Sequence, residues 1–223
     1  MNLLMFCSLP KSFYINLKLF NLKTAIKMPL LISYKVKCHI EKGCSVYIDT
    51  NEIKTGMVKI GWGGSDTISA NRSILKLYSG CELSLGGGTT FAEGISIAVK
   101  GRLEIGKHFY CNRNCSISCD EKIVFGDNCL LGYGVEIRDG DGHFTGITDG
   151  ETTAWMDNTE GIHIGENVWI AARAAVLKGA MIQKHSVIGY GSLITRKIEG
   201  NDEHVLLAGN PAKVVRRGIL WKR

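Results

Sequence analysis

Proline is nearly absent from this sequence, with three among 223 residues, whereas glycine supplies 27. Its turns must therefore be made by glycine and asparagine, which reach backbone angles that other residues avoid. Long hydrophobic runs are missing too: no apolar stretch reaches the roughly 20 residues that a membrane-spanning helix needs. The apolar start, Met1–Pro10, has no positive charge before it and no small-residue cleavage site after it, so it makes a poor signal peptide. Eight cysteines do not make a disulfide scaffold in a chain of this length and glycine pattern, and a reducing cytoplasm suits them better. No nucleic-acid-binding motif accompanies the basic residues, which argues against a nucleic-acid partner.

The net charge of +6 is unevenly spread. Residues 1–60 hold nine Lys/Arg against three Asp/Glu, residues 196–223 hold seven against three, and the body between holds eleven against fifteen. Basic ends can meet the phosphates of a cofactor or an anionic membrane surface, although plain solubility accounts for them equally well.

The chain does contain a repeat. From Ile164 onward, aliphatic residues return every six positions, at Ile164, Ile170, Val176, Ile182, Ile188 and Ile194. A second track of small or β-branched residues follows four positions behind, at Val168, Ala174, Ala180, Ser186 and Ser192. The same pattern runs upstream through Leu85, Phe91, Ile97, Ile105, Cys111, Ile117, Phe125, Leu131 and Ile137, with an occasional step of eight. Thr89, Cys115, Cys129 and Val135 keep the second track there. Neither an α-helix nor a flat sheet has this period. It fits an all-β parallel β-helix, in which three short strands per coil form a triangular prism and coils stack to bury one inward residue per strand. The eight-residue steps let two extra residues in at one corner. Cys111, Cys115 and Cys119 have the spacing of a metal cluster at first sight, but the first two fall on the inward tracks, where a free cysteine is a small hydrophobe. No metal site is expected.

The expected organisation is a basic amphipathic extension or cap over residues 1–55, a β-helix over 56–195 with an inserted loop at 138–163, and a tail over 196–223. The loop, RDGDGHFTGITDGETTAWMDNTEGIH, interrupts a rigid solenoid, and such interruptions are where function tends to sit. It brings Asp139, Asp141 and His143 within five residues. A histidine there can act as a general base near neutral pH, and a neighbouring carboxylate can hold its ring. Both aspartates can equally be turn formers.

The hexads, the DGDGHF loop, the GENVWI segment and the AGNPAKVVR tail together resemble the hexapeptide-repeat O-acetyltransferases of the galactoside, maltose and nodulation type. The resemblance is closest to those of capsular polysaccharide and lipopolysaccharide biosynthesis and covers roughly residues 56–216. It implies a left-handed coil and transfer of an acetyl group from acetyl-CoA to a sugar hydroxyl, in a cytoplasmic homotrimer whose sites lie between subunits. It also implies His143 as the general base and Asn112 as the acceptor-orienting residue; within the loop, Asp141 is the candidate helper carboxylate, although that carboxylate could come from elsewhere. Trp169, Ala172, Gly189, Tyr190, Thr195, Lys213 and Arg216 fall where these enzymes contact coenzyme A, the last two as cations for its phosphates. Tyr190 departs from the family, which has a small residue there. The basic, apolar first 55 residues suggest peripheral contact with the inner membrane surface, while the same residues could instead cap the open end of the solenoid. Alternatives on the same fold are N-acyl transfer to an amino sugar, a serine acceptor, a zinc carbonic anhydrase and a non-catalytic scaffold. The zinc enzyme needs three converging histidines, and no third is well placed beside His143 and His163. The serine enzymes need a larger N-terminal domain than residues 1–55 supply.

Overall fold

In the structure, a computed structural model that describes residues 3–195 and 202–222, the two inward tracks become the filling of a triangular prism. Two helices come first, α1 (Leu3–Leu19) and α2 (Leu22–Ala25). The first coil is β1 (Leu30–Ile32), β2 (Lys37–Ile40) and β3 (Ser45–Asp49), and the second is β4 (Val58–Ile60), β5 (Ile74–Leu77) and β6 (Glu82–Gly86). The third is β7 (Thr89–Phe91), β8 (Ser96–Val99) and β9 (Arg102–Ile105); the fourth is β10 (Tyr110–Cys111), β11 (Ser116–Cys119) and β12 (Lys122–Phe125). In the fifth coil, β13 (Leu130–Leu131) and β14 (Glu136–Arg138) precede the long loop. That loop carries a small hairpin, β15 (Gly146–Thr148) and β16 (Thr153–Trp155), before the coil closes on β17 (Ile162–Ile164). Next come β18 (Trp169–Ile170), β19 (Ala175–Val176) and β20 (Met181–Ile182), then β21 (Val187–Ile188) and β22 (Leu193–Ile194). After residues outside the described set, where the expected tail begins, the chain ends in β23 (Val205–Gly209) and β24 (Ala212–Arg217).

Equivalent strands of successive coils pair in parallel and make the three faces. The first face runs β1, β4, β7, β10, β13, β18, β21, β23 and β24; the second runs from β2 to β22; the third runs from β3 to β20. Every hexad residue from Leu85 to Ile194, and every member of the second track, is buried. Each such aliphatic contributes about 1.5–3 kcal/mol by leaving water. Phe109 is a large exception on the second track, and it extends a stack in which the Phe91–Phe109 and Phe109–Phe125 centroids lie 5.4 and 5.0 Å apart. The eight-residue steps put the extra residues at the edge between second and third faces, where Val99, Leu103, Cys119 and Ile123 are also buried. Coils approach so closely that a Cβ on Gly106 would lie 2.5 Å from the Gly126 carbonyl, which accounts for glycine at that corner.

Coil stacking starts at Leu30, inside the 1–55 segment, with Leu30 opposite Val58 and Ser45 opposite Glu82. The hexad period does not reveal this coil, because irregular connections at 50–57 and 61–73 break the count. Helix α1 covers the outer edge of β1 in an unusual way. Ser8, Ser12 and Asn16, spaced four apart and fully buried, turn toward the strand's unpaired backbone. The Ser12 hydroxyl accepts from Ile32 N at 2.9 Å and donates to Ile32 O at 3.1 Å. The Asn16 amide likewise accepts from Leu30 N at 3.2 Å and donates to Leu30 O at 2.8 Å, and Ser8 Oγ accepts from Tyr34 N at 3.0 Å. An open sheet edge invites pairing with other chains, and here three side chains close it. At the far end, the antiparallel β23–β24 hairpin is the last layer of the first face.

Candidate active site

The long loop leaves the prism at its second edge, between the second and third faces. Its foot is anchored. The fully buried Asp139 carboxylate accepts the amides of Asp120, Glu121 and Lys122 at 2.6, 3.0 and 2.7 Å, tying the foot to the preceding coil. Asp141 N donates to Asn158 O at 2.8 Å, and a bridge joins Gly140 to Thr159. The Asp141 carboxylate pairs with Lys178 at 2.6 Å, and Lys178 also donates to Asp157 O at 2.8 Å. Beyond the foot rises the β15–β16 arm. Asp149 turns it by accepting the amides of Thr152 and Glu151, which hold its carboxyl below the usual carboxylate range. His143 stands between foot and arm, exposed and without a hydrogen bond to any described residue. Asp139 thus serves the coil and Asp141 serves Lys178; neither carboxylate is bonded to His143 within the chain.

Asn112 lies on a different edge, between the first and second faces, at the corner after β10. Its Oδ1 accepts from Ser65 N at 3.0 Å and Arg113 N at 2.8 Å, so the side chain is fixed by one end. Its neighbour Arg113, which the sequence did not point to, donates to Ser65 O and Ile68 O at 2.6 and 2.7 Å and pairs with Glu93 at 3.0 Å. Asn114 holds Asn71 N and Ser69 O. Three consecutive corner residues therefore clamp the 62–72 connection down beside Asn112. The partners are more than forty residues apart, so no local pattern announces the clamp.

The same edge carries Ala172, Gly189 and Tyr190 in the later coils. Gly132 and Ala172 meet so closely that a Cβ on Gly132 would lie 2.5 Å from Ala172 N, which keeps this edge narrow. Tyr190 is 60% exposed, and the Tyr133 hydroxyl beside it raises its phenol above the usual range. Arg173, also missed in the sequence, stands 5.7 Å from the Tyr133 ring and 5.9 Å from the Tyr190 ring. A guanidinium between two rings is a cation–π arrangement, and it fills the place where the sequence pattern departs from its resemblance.

Trp169 opens β18 on the outside of the first face, tilted against Trp221 with centroids 6.1 Å apart. Trp221 Nε1 donates to Asn167 O at 2.7 Å, which ties the tail to this face. Strand register aligns Trp169 with Val187, Leu206 and Arg216 across β18, β21, β23 and β24. Lys213, opposite Ala208 on β24, and Thr195, just past β22, are exposed in the same terminal coils. Of the expected coenzyme-contact residues, Trp169, Ala172, Gly189, Tyr190, Lys213 and Arg216 gather at one end of the first face and its edge with the second, whereas Thr195 leaves the second face on the opposite side. His143 arises from the edge between second and third faces, the edge that Thr195 reaches in a later coil.

Residues 161–196 match the family described as bacterial transferase hexapeptide (six repeats). The Escherichia coli galactoside O-acetyltransferase is 34% identical over 116 residues, 51% of this chain and 53% of that protein. The Saccharomyces cerevisiae protein YJL218W is 36% identical over 113 residues, 51% of this chain and 55% of its own. The chain thus spans about half the length of the curated relatives it matches. The solved structure of the polysialic acid O-acetyltransferase OatWY superposes on 87% of this chain and 90% of its own, with a TM-score of 0.55 and 19% identity. The chain carries hexapeptide repeats and folds as a left-handed parallel β-helix.

Proposed function

We propose that this protein is an acetyl-CoA-dependent O-acetyltransferase that acetylates a sugar hydroxyl in the making of a capsular polysaccharide or lipopolysaccharide. The observation that carries the reading is His143. It stands on a loop inserted into a rigid prism, with its imidazole unpaired among the described residues, in a chain similar to a galactoside O-acetyltransferase. His143 takes the proton of the acceptor hydroxyl as that oxygen bonds to the acetyl carbonyl carbon. The carbon–sulfur bond then breaks, and the imidazolium returns its proton to the departing CoA thiolate. Asn112, held through Oδ1, has an Nδ2 left to donate to the acceptor. Trp169, Ala172, Gly189, Tyr190 and Thr195 line the coenzyme, and Lys213 and Arg216 meet its phosphates.

Transfer is direct. The interior thiols are poor nucleophiles: burial pushes Cys129 up to about 12 and also raises Cys111 and Cys119. The working form is a homotrimer, in which the arm and His143 of one chain reach the Trp169 edge of the next. Within one chain the His143 loop leaves the edge between second and third faces while Trp169 stands on the first face, which supports a shared site.

The test incubates purified protein with acetyl-CoA and a panel of mono- and oligosaccharides and follows CoA release. Acceptor-dependent release, with the acetyl group recovered as an oxygen ester, is expected. Release that no saccharide stimulates, or an acetylated cysteine trapped by mass spectrometry, contradicts the reading.

A further inference from the structure

An ordinary surface helix turns its apolar stripe inward and a polar face outward; helix α1 also leaves an apolar stripe outside. Its inward face carries a polar seam beside the buried Ile15: Ser8, Ser12 and Asn16 pair with the backbone of the first coil. Its outward stripe is apolar. Phe6, Pro10, Phe13 and Leu17 follow one another at intervals of four, three and four, and all are exposed. Leu22 and Ile26, around α2, continue the patch, and the five large side chains are 42% to 64% exposed. Nothing in the described chain covers them.

Charge points to the occupant. The first acidic residue of the chain is Glu41, so the first forty residues carry lysines and no carboxylate. Lys23 and Lys27 flank the patch and make no ion pair among the described residues. A second copy laid on this face would set lysine against lysine with no carboxylate between them. A lipid surface offers both an apolar layer for the stripe and anionic headgroups for the lysines. The helix lies on the surface and does not cross, since no helix among the described residues is long and apolar enough to span a membrane.

We infer that the outward face of α1 and α2 is a docking surface for an anionic lipid membrane, which seats the prism by its first coil. The docking surface is separate from the transfer site, so an active enzyme that ignores lipid would overturn this inference and leave the reaction untouched.

The full chain is sedimented with phosphatidylcholine vesicles containing phosphatidylglycerol and with phosphatidylcholine alone. Binding to the anionic vesicles, weakened by salt, is expected. The triple variant Phe6→Ser, Phe13→Ser, Leu17→Ser should bind at least about tenfold less, and Lys23→Glu with Lys27→Glu should lower binding in the same direction. Equal binding by the triple variant, no binding to either vesicle, or a smaller particle in lipid-free light scattering of that variant would overturn the assignment, the last by showing that a second copy covers the face. A polarity-sensitive dye on the exposed Cys7, in the unsubstituted protein, gives an independent reading. Its emission should shift to the blue with anionic vesicles, and an unchanged emission counts against docking.

Discussion

The clean coils at 164–195 and the loop just before them divide the apolar residues of this protein into two kinds. In the coils, every sixth residue is buried, and strands such as β18 pair in register with the coil on either side. In the loop, residues 141–157 are all exposed, among them Phe144, Ile147, Trp155 and Met156. The coils satisfy their hydrophobic residues within the chain. The arm turns Phe144, Ile147, Trp155 and Met156 to solvent, as a contact surface does. Stability should therefore reside in one region and activity and assembly in the other.

His143→Ala should separate the two most sharply. Loss of a general base costs about 10²–10⁴-fold in turnover, or roughly 3–5 kcal/mol of barrier, and the melting temperature should stay unchanged because His143 is exposed. Affinity for CoA, measured by calorimetry, should also be preserved. In the coils, Phe109→Ala empties the centre of the aromatic stack and should destabilise by about 3–5 kcal/mol in a denaturant titration. Trp155→Ser, a comparable loss of ring on the arm, should leave unfolding unchanged and weaken assembly in light scattering.

The loop's own aspartates sharpen the comparison at smaller scale. Asp139 belongs physically to the coil, and removing its three amide bonds by Asp139→Ala should cost about 2–3 kcal/mol of stability. Asp141 makes one partly exposed pair with Lys178, so Asp141→Asn should cost less than about 1 kcal/mol. The smallest signal is chemical. A thiol reagent should modify the exposed Cys7 promptly, while Cys129, pushed up to about 12, and the buried Cys111 and Cys119 stay silent until the protein unfolds.

The sequence showed the coils plainly wherever one inward residue per strand returned in a regular pattern, as from Leu85 to Ile137 and from Ile164 to Ile194. It hid the first coil, since the connections at 50–57 and 61–73 shift the count, and it hid the logic of α1, whose serines and asparagine serve a strand edge twenty residues away. The loop was readable as an interruption with a histidine in it. The destination of its carboxylates was not, because Lys178 and the amides of residues 120–122 are neighbours only once the coils stack. The Arg113 clamp and the Arg173–tyrosine stack escaped for the same reason: corners of successive coils meet in space and are scattered in sequence.

The central claim is that His143 of one chain works with Trp169 of its neighbour. Subunit mixing tests it most directly: His143→Ala and Trp169→Ala proteins, each weakly active, are unfolded, combined in equal amounts and refolded together. If each site draws His143 and Trp169 from different chains, about a third of the sites in mixed trimers, or about a quarter of all sites in the mixture, hold both native residues, and activity should rise well above either parent. A mixture no more active than the average of its parents would place both residues in one chain and contradict the shared site.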